Sequence, residues 1–121
     1  IKELNSIINF YNKNNFKSVA SIIEMKEHPN ECIEKTNAKW KYLINADNLP
    51  YRRQDYKKNY YFIDGSYYIL DVDFLNKYNK LIMPKKSKFY EIKRIVPIDI
   101  DDKNDLKIAE LFLNSKINIL S

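Results

Sequence analysis

Apolar residues recur at helical spacing at the start of the chain and then form a short β-branched run. The first 14 residues place four large apolar side chains on one face, at Leu4, Ile7, Ile8 and Tyr11. This spacing predicts an amphipathic helix that lies against a sheet. Residues 18–25 are short, apolar and rich in β-branched side chains, as is typical of a strand covered on both faces. A helix followed by such a strand indicates α/β layering.

Residues 26–63 break this periodicity. Proline and aromatic residues alternate there with polar ones, and only the part around residues 39–44 is typical of a short strand. The segment is too polar to form a core of its own, and too rich in aromatic residues to be a free linker. We therefore expect an irregular arm over residues 26–63 that packs on a partner surface.

Turn and strand signals return at Asp64. The dipeptide Asp64-Gly65 is predicted to form a turn ahead of a second core strand over residues 66–72. Asp73 is then expected to cap a short helix. That helix would carry Phe74, Leu75 and Tyr78.

The last third of the chain combines a basic loop, two short strands and a helix. The loop covers residues 85–88, and a short strand is expected over residues 89–92. Residues 95–100 predict an apolar strand in which Pro97 favours an edge position or a bend. Apolar spacing over residues 104–114 predicts a final helix. Its amino end carries the acidic and polar residues Asp102, Asn104 and Asp105.

Composition limits the kind of protein. A chain of 121 residues with 45% apolar residues fits one domain. No apolar run approaches the roughly 20 residues needed to cross a bilayer, so we expect no membrane partner. The single cysteine, Cys32, excludes an internal disulfide and favours a reducing cytoplasm, and with the single histidine, His28, it leaves too few ligands for structural zinc. The chain begins at Ile1 without a methionine, so we expect a segment before it.

The net charge of +5 arises from 21 basic and 16 acidic residues that are mixed along the chain. Such a charge is compatible with a polyanionic partner, but the mixing of acidic and basic residues favours an ordinary solvated surface. The single glycine, Gly65, is more informative, because loops that cradle phosphates need several glycines. We therefore expect no phosphate-binding loop in this chain.

Asp99 and Asp101 are the first candidates for chemistry. They are two residues apart, so in an extended segment both carboxylates project from one face. At the carboxyl end of a strand in an α/β sheet, such a pair can hold magnesium together with substrate phosphates and water. The alternative is that these acids end a strand and cap the next helix. The spacing alone leaves both interpretations open.

A second candidate group lies in the arm, where the run Arg52-Arg53-Gln54-Asp55 occurs. An arginine fork can hold a carboxylate or a phosphate through two hydrogen bonds, or it can form a surface ion pair. The aromatic residues that follow could form a stacking surface for single-stranded nucleic acid, or they could be buried against a partner subunit. They are Tyr56, Tyr60, Tyr61 and Phe62.

In this order, the segments resemble the carboxyl-terminal half of the acylneuraminate cytidylyltransferase family, which comprises the CMP-sialic acid synthetases and their relatives for other nonulosonic acids. The resemblance extends over about residues 1–115. The segments that carry it are residues 18–24 with His28-Pro29, Arg52-Arg53-Gln54-Asp55, Asp64-Gly65-Ser66-Tyr67-Tyr68-Ile69, and Ile98-Asp99-Ile100-Asp101 with Asp105 and Ala109-Glu110.

The resemblance implies that residues 1–121 are part of a Rossmann-like nucleotidyltransferase domain, with a mostly parallel sheet, flanking helices and a protruding dimerisation arm over residues 26–63. It implies a homodimer in which the anomeric hydroxyl of a nonulosonic sugar acid attacks the α-phosphate of CTP and releases pyrophosphate. Mg²⁺ would be held by Asp99 and Asp101, which are also the implied catalytic residues. The implied sugar-binding residues are Arg53, Gln54 and Tyr68.

The glycine- and basic-residue-rich loop with which this family grips CTP has no counterpart here. We therefore expect the chain alone to be inactive, with CTP held by a missing amino-terminal half. The alternative function is a non-catalytic dimerisation or binding module that uses the basic, tyrosine-rich arm. In the enzyme interpretation we expect no nucleic-acid partner.

Overall fold

The computed structural model describes residues 2–44, 50, 52–56, 58–93 and 99–115, with the side chain of Arg53 left out. The helices are α1 (Lys2–Lys13), α2 (Val72–Tyr78) and α3 (Lys103–Asn114). The strands are β1 (Ser18–Glu24), β2 (Ile33–Thr36), β3 (Lys39–Tyr42), β4 (Tyr61–Leu70) and β5 (Lys88–Glu91). Short 3₁₀ helices occur at Pro29–Glu31 and Arg53–Asp55.

The chain divides into two compact units. The first, called the sheet unit here, comprises Ile1–Ile23 and Asp64–Ser121. The second, called the hairpin unit, is Glu24–Ile63 and covers nearly the same residues as the arm predicted over 26–63. Its use in dimerisation stays a prediction.

The larger sheet has the strand order β4-β1-β5. Strand β1 pairs in parallel with β5, from Val19 opposite Lys88 to Ile22 opposite Glu91. Towards β4 the direction is antiparallel, because the Asp71 N–H donates to the Lys17 carbonyl at the start of β1. The predicted α/β class is confirmed, while the sheet is mixed and not mostly parallel in the described strands.

The core of the sheet unit forms where α1 packs on the sheet. Ile7 of α1 is fully buried, and the Phe10 ring lies 5.2 Å from the ring of Tyr90 on β5. The predicted amphipathic helix against a sheet is therefore confirmed. The buried apolar side chains of the core are Ile7, Val19, Ala20, Ile23, Phe74 and Ile92.

Strand β4 differs from the sequence prediction. Asp64-Gly65 does not form a turn before the strand but lies inside it, and most β4 side chains are exposed or half-buried. Gly65 has a φ of 77°, in the left-handed region that glycine adopts without strain. Beside it, the Ser21 hydroxyl donates to the Asp64 carboxylate and accepts from the Tyr67 N–H at 3.0 Å. A side chain of β1 thus bonds to β4 on both sides of Gly65.

The helix ends follow local signals, with one shift. Asp71, and not the predicted Asp73, caps α2, since its carboxylate accepts from the Asp73 N–H at 3.0 Å. Helix α2 ends with Asn79 in the left-handed conformation (φ 48°). The predicted final helix is confirmed as α3, and it begins one residue earlier than expected.

Strands β2 and β3 of the hairpin unit form an antiparallel hairpin that the sequence predicted only in part. Asn37 and Ala38 both have positive φ, of 46° and 65°, as a two-residue turn between such strands requires. Cross-strand partners share a face, so Ile33 and Tyr42 lie with Trp40 on one side. All three are exposed, with Trp40 at 63%. This hairpin face therefore carries three large apolar side chains together with Lys35, whose Nζ lies 5.1 Å from the centre of the Trp40 ring.

The predicted strand over residues 95–100 falls mostly on residues 94–98, which lie outside the described residues, while Asp99 and Ile100 are not in a strand. None of the helices in the described ranges has the length and apolar character needed to cross a bilayer.

Candidate functional site

The predicted metal pair lies directly before α3. Asp99 and Asp101 are both exposed, and β5 ends at Glu91, eight residues before Asp99. The backbone N–H of Asp101 donates to the Asp105 carboxylate at 3.1 Å. In the described part of the chain, no N–H or O–H group donates to the side chain of either Asp99 or Asp101.

The residues that cap α3 are other acids, and not Asp99 or Asp101. Asp102 is the cap of α3, and its carboxylate accepts from the N–H groups of Asn104 (2.6 Å) and Asp105 (3.0 Å). Asp105 returns the contact by accepting from the Asp102 N–H at 3.0 Å, which completes a capping box. Helix α3 is therefore stabilised without the carboxylates of Asp99 and Asp101.

These two carboxylates fit magnesium by their chemistry. Mg²⁺ prefers oxygen ligands and is usually held by one or two carboxylates with water and substrate phosphates. Within residues 2–44, 50, 52–56, 58–93 and 99–115, no group of three or more acidic, histidine or cysteine side chains could hold a metal ion. Mg²⁺ bound by Asp99 and Asp101 would need water and substrate oxygens as its further ligands.

The predicted sugar-binding residues Arg53 and Gln54 lie in the 3₁₀ helix Arg53–Asp55 of the hairpin unit. Gln54 is exposed. The neighbouring Arg52 donates to Asp55 at 3.1 Å, and both partners of this ion pair are exposed. Exposed pairs of this kind contribute little stability, roughly 0–1 kcal/mol. Arg52 thus follows the ion-pair alternative of the sequence interpretation.

Tyr68, the third predicted sugar-binding residue, lies in β4 and is partly exposed. The five predicted site residues consequently fall on both units. Gln54 and the backbone of Arg53 belong to the hairpin unit, whereas Tyr68, Asp99 and Asp101 belong to the sheet unit.

A site that sequence reasoning missed surrounds Tyr78 in the sheet unit. A cavity of about 440 Å³, called the Tyr78 cavity below, lies between α2, the residue before β1 and the loop before β5. Lys86 Nζ donates to the Tyr78 hydroxyl at 2.7 Å and lies 4.5 Å from the centre of its ring. The cavity is lined by Lys17, Asp71, Asp73, Phe74, Lys77, Tyr78 and Lys86.

A chain of buried serine hydroxyls fixes the loop that carries Lys86. The Met83 N–H donates to Ser87 Oγ at 2.8 Å, and Ser18 Oγ donates to the Leu81 carbonyl at 2.8 Å. The two hydroxyls lie 2.9 Å apart, so Ser87 is the donor to Ser18 because the Ser18 hydrogen is already used. This network attaches residues 81–87 to the first residue of β1.

The electrostatics of the cavity follow from its ion contacts. The ammonium of Lys86, assisted by Lys77, lowers the pKa of Tyr78 below its ordinary value, although burial acts in the opposite direction. Lys17 forms a salt bridge of 2.8 Å with Asp71. That bond raises the pKa of Lys17 and lowers the pKa of Asp71.

A cluster of aromatic rings surrounds His28 in the hairpin unit. The His28 ring stacks on Tyr56 at 3.8 Å and meets the edge of Tyr60 at 4.8 Å. Its Nδ1 accepts from the Asn30 N–H at 3.2 Å, so the proton of the neutral ring lies on Nε2. Among the described residues, neither this Nε2 nor the Asn30 Oδ1 has a hydrogen-bond partner, although both atoms are buried.

Comparison with known proteins does not assign the chain to a family. No protein-family model matches the chain, and no curated protein matches it.

Proposed function

We propose that this chain is the carboxyl-terminal half of a cytidylyltransferase that transfers CMP from CTP to the anomeric hydroxyl of a nonulosonic sugar acid. The observation that carries the proposal is the parallel pairing of β1 with β5, followed along the chain by Asp99-Ile100-Asp101. In open α/β sheets, ligands bind outside the carboxyl ends of the parallel strands. Asp99 and Asp101 follow β5 along the chain, after residues 94–98, which lie outside the described residues. Their position at this end of the sheet is part of the proposal.

In this proposal Asp99 and Asp101 hold Mg²⁺, which would stabilise the negative charge that develops on the phosphate oxygens of CTP. The side chains of Asp99 and Asp101 are exposed. They take no part in capping α3, which is done by Asp102 and Asp105. Arg53, Gln54 and Tyr68 are the proposed contacts for the sugar acid.

Exposed apolar side chains support the view that the sheet unit is part of a larger domain. Helix α3 has no buried residue, and Leu111 and Leu113 are 69% and 81% exposed. The half that holds CTP would cover such surfaces, and it would supply the glycine-rich loop for which this chain, with Gly65 alone, has no residues.

The hairpin face supports a homodimer as the working assembly. Ile33, Trp40 and Tyr42 lie side by side on exposed strands, and large aromatic residues are the side chains that contribute most to protein interfaces. A reducing cytoplasm is the proposed compartment, since Cys32 is an unpaired cysteine.

The enzyme proposal is tested by following pyrophosphate release from CTP in the presence of Mg²⁺ and a nonulosonic acid. We expect no turnover by the 121-residue chain alone, and turnover once a segment with the CTP-gripping loop precedes Ile1. Turnover by the chain alone would contradict the proposal that a separate amino-terminal half is needed to hold CTP. Absence of turnover by the joined protein with every nonulosonic acid tried would contradict the reaction itself.

The same hairpin face also favours the second candidate, a non-catalytic module that uses it for association. Light scattering distinguishes a monomer from an assembly of the chain. If nucleic acid were the partner of the basic arm, its affinity would fall steeply with salt concentration as counterions are displaced. An affinity without salt dependence would exclude nucleic acid.

A further inference from the structure

The Tyr78 cavity contains none of the residues proposed for CMP transfer. Lys17 directly precedes β1, and Asp71 directly follows β4, so the cavity is at the amino end of β1. The proposed catalytic edge is at the carboxyl ends of β1 and β5. A ligand in this cavity would therefore bind independently of the proposed CMP transfer, and the inference goes beyond it.

Positive charge exceeds negative charge in the lining. It contains three lysines and two aspartates. Lys17 and Asp71 neutralise each other through their salt bridge, and Asp71 also accepts from the N–H of Asp73. Among the described residues, neither Lys77 nor Lys86 forms a salt bridge with a carboxylate. Two ammonium groups against the single carboxylate of Asp73 thus leave a local excess of one positive charge.

Two ammonium groups lie beside one phenol ring, that of Tyr78. Lys86 Nζ donates to Tyr78 Oη at 2.7 Å, and Lys77 Nζ lies 5.5 Å from the centre of the same ring. An ammonium has three hydrogens, so Lys86 retains two donors beyond its bond to the phenol. Both ammonium groups lower the pKa of Tyr78, as positive charge beside a phenol does.

The cavity also has an apolar floor and a fixed wall. Phe74 is buried at 5% exposure and meets Tyr78 edge to face, with ring centres 4.9 Å apart. The wall that carries Lys86 is attached to β1 through the Ser18 and Ser87 hydroxyls. The volume of about 440 Å³ is in the range of small-ligand pockets. A ligand with a small apolar part and an anionic group suits these walls.

We propose that the Tyr78 cavity binds a phosphate monoester, with the ammonium groups of Lys77 and Lys86 and the hydroxyl of Tyr78 donating to its phosphate oxygens. A phosphate dianion presents three acceptor oxygens, which corresponds to these three donor groups. Phe74 contacts the organic part of the ester.

The test is a titration of the isotope-labelled chain with methyl phosphate, followed by backbone amide NMR shifts. We expect shifts centred on residues 77–86 in the wild-type chain. Lys86→Met and Lys77→Met keep most of the side-chain length, remove one donor each, and should weaken binding roughly ten-fold. Lys86→Arg, which keeps a cation and its donors, should retain binding. Circular dichroism establishes that each variant is folded.

Lys85→Met is the matched control. Lys85 is exposed on the same loop and does not line the cavity, yet its loss changes the net charge by the same amount. It should weaken binding by less than about two-fold, because only long-range attraction is lost. Equal weakening by Lys85→Met and Lys86→Met would overturn the site, as would shifts spread over surface lysines or no shifts at all.

Discussion

The Oγ atoms of Ser18 and Ser87 lie 2.9 Å apart inside the sheet unit, 69 residues apart in the chain. Both side chains are buried, and their hydrogen bonds join the first residue of β1 to the loop that leads into β5. A hydroxyl in this position satisfies groups that water cannot reach. The contact therefore orders the loop and positions Lys86 beside Tyr78.

Replacing Ser87 by alanine should destabilise the fold. The Met83 N–H would lose its acceptor and the Ser18 oxygen would lose a donor, at a cost of about 1–3 kcal/mol in the free energy of unfolding. Urea denaturation measures this change. The control is Ser6→Ala on the exposed face of α1, which should change stability by less than about 0.5 kcal/mol. Equal effects of both substitutions would show that the buried network contributes nothing.

Substitution of Gly65 tests whether β4 requires the left-handed backbone conformation at this position. A Cβ atom at this position would meet no atom within 4 Å, so any cost of Gly65→Ala comes from its φ of 77°. We expect a loss of about 1–2 kcal/mol for alanine and a smaller loss for Gly65→Asn, because asparagine tolerates the left-handed region. Thermal unfolding of the three proteins gives the order. Asparagine as costly as alanine would contradict the explanation.

The salt bridge between Lys17 and Asp71 makes a prediction about pH. Asparagine also caps helices well, so Asp71→Asn removes the charge while it keeps the cap of α2. The folded pKa of Asp71 is lowered, so its contribution to stability is complete above the unfolded value of about 3.9 and is lost as the pH falls through the folded pKa. The raised pKa of Lys17 means that the same contribution is lost again at high pH, as the pH rises through that value.

Unfolding in urea across the pH range checks this sign. The wild-type chain should exceed Asp71→Asn in stability near neutral pH, and the difference should shrink in strong acid and in strong alkali. Asp73→Asn is the control, because Asp73 lines the same cavity without a salt bridge among the described residues. A difference that does not vary with pH would remove the electrostatic explanation.

Tyr78 should ionise at lower pH than an ordinary tyrosine. Lys86 donates to its hydroxyl and stabilises the phenolate, so its pKa lies below 10.0. Selective labelling of tyrosine ring carbons permits each phenol to be titrated by NMR, with Tyr78→Phe used to assign the signal. Lys86→Met should raise the pKa of Tyr78, whereas Lys85→Met should leave it nearly unchanged. A Tyr78 signal that is indifferent to Lys86 would contradict the contact.

The hairpin face should govern association if the chain is a homodimer. Trp40→Ser removes a large exposed apolar side chain, and we expect it to raise the dimer dissociation constant at least roughly ten-fold. Lys39→Ser lies on the opposite face of the same strand and should have little effect. Sedimentation equilibrium measures both constants. A wild-type chain that stays monomeric, or equal effects of the two variants, would reject this interface.

Short-range signals were enough to predict the helices and most strands. The apolar spacing of α1, the β-branched run of β1 and the acids before α3 act within a few residues of one another, and the structure confirms them. The hairpin turn at Asn37-Ala38 was missed because alanine rarely signals a positive φ. Asp64-Gly65 was predicted as a turn because the glycine signal does not reveal that Ser21, 43 residues away, holds it within a strand.

The Tyr78 cavity could not be predicted for a related reason. Lys17, Tyr78 and Lys86 come together only after β1, α2 and the loop before β5 have packed. The sequence showed the basic loop over residues 85–88, but nothing in it indicated which lysine would meet a phenol. The proposed metal pair differs from the cavity in this respect, because the two-residue spacing of Asp99 and Asp101 is visible in the sequence. The proposed binding of Mg²⁺ by this pair would also require a substrate.

In the proposed enzyme, Asp99 and Asp101 serve CMP transfer, whereas Asp102 and Asp105 stabilise α3. The most direct measurement is pyrophosphate release at saturating Mg²⁺ by the protein that carries both halves, with Asp101→Asn compared with Asp102→Asn. Asparagine can still cap α3 at position 102, so that variant should keep turnover close to wild type. Asp101→Asn should lower turnover at least about 100-fold. Near wild-type turnover of Asp101→Asn would contradict the account.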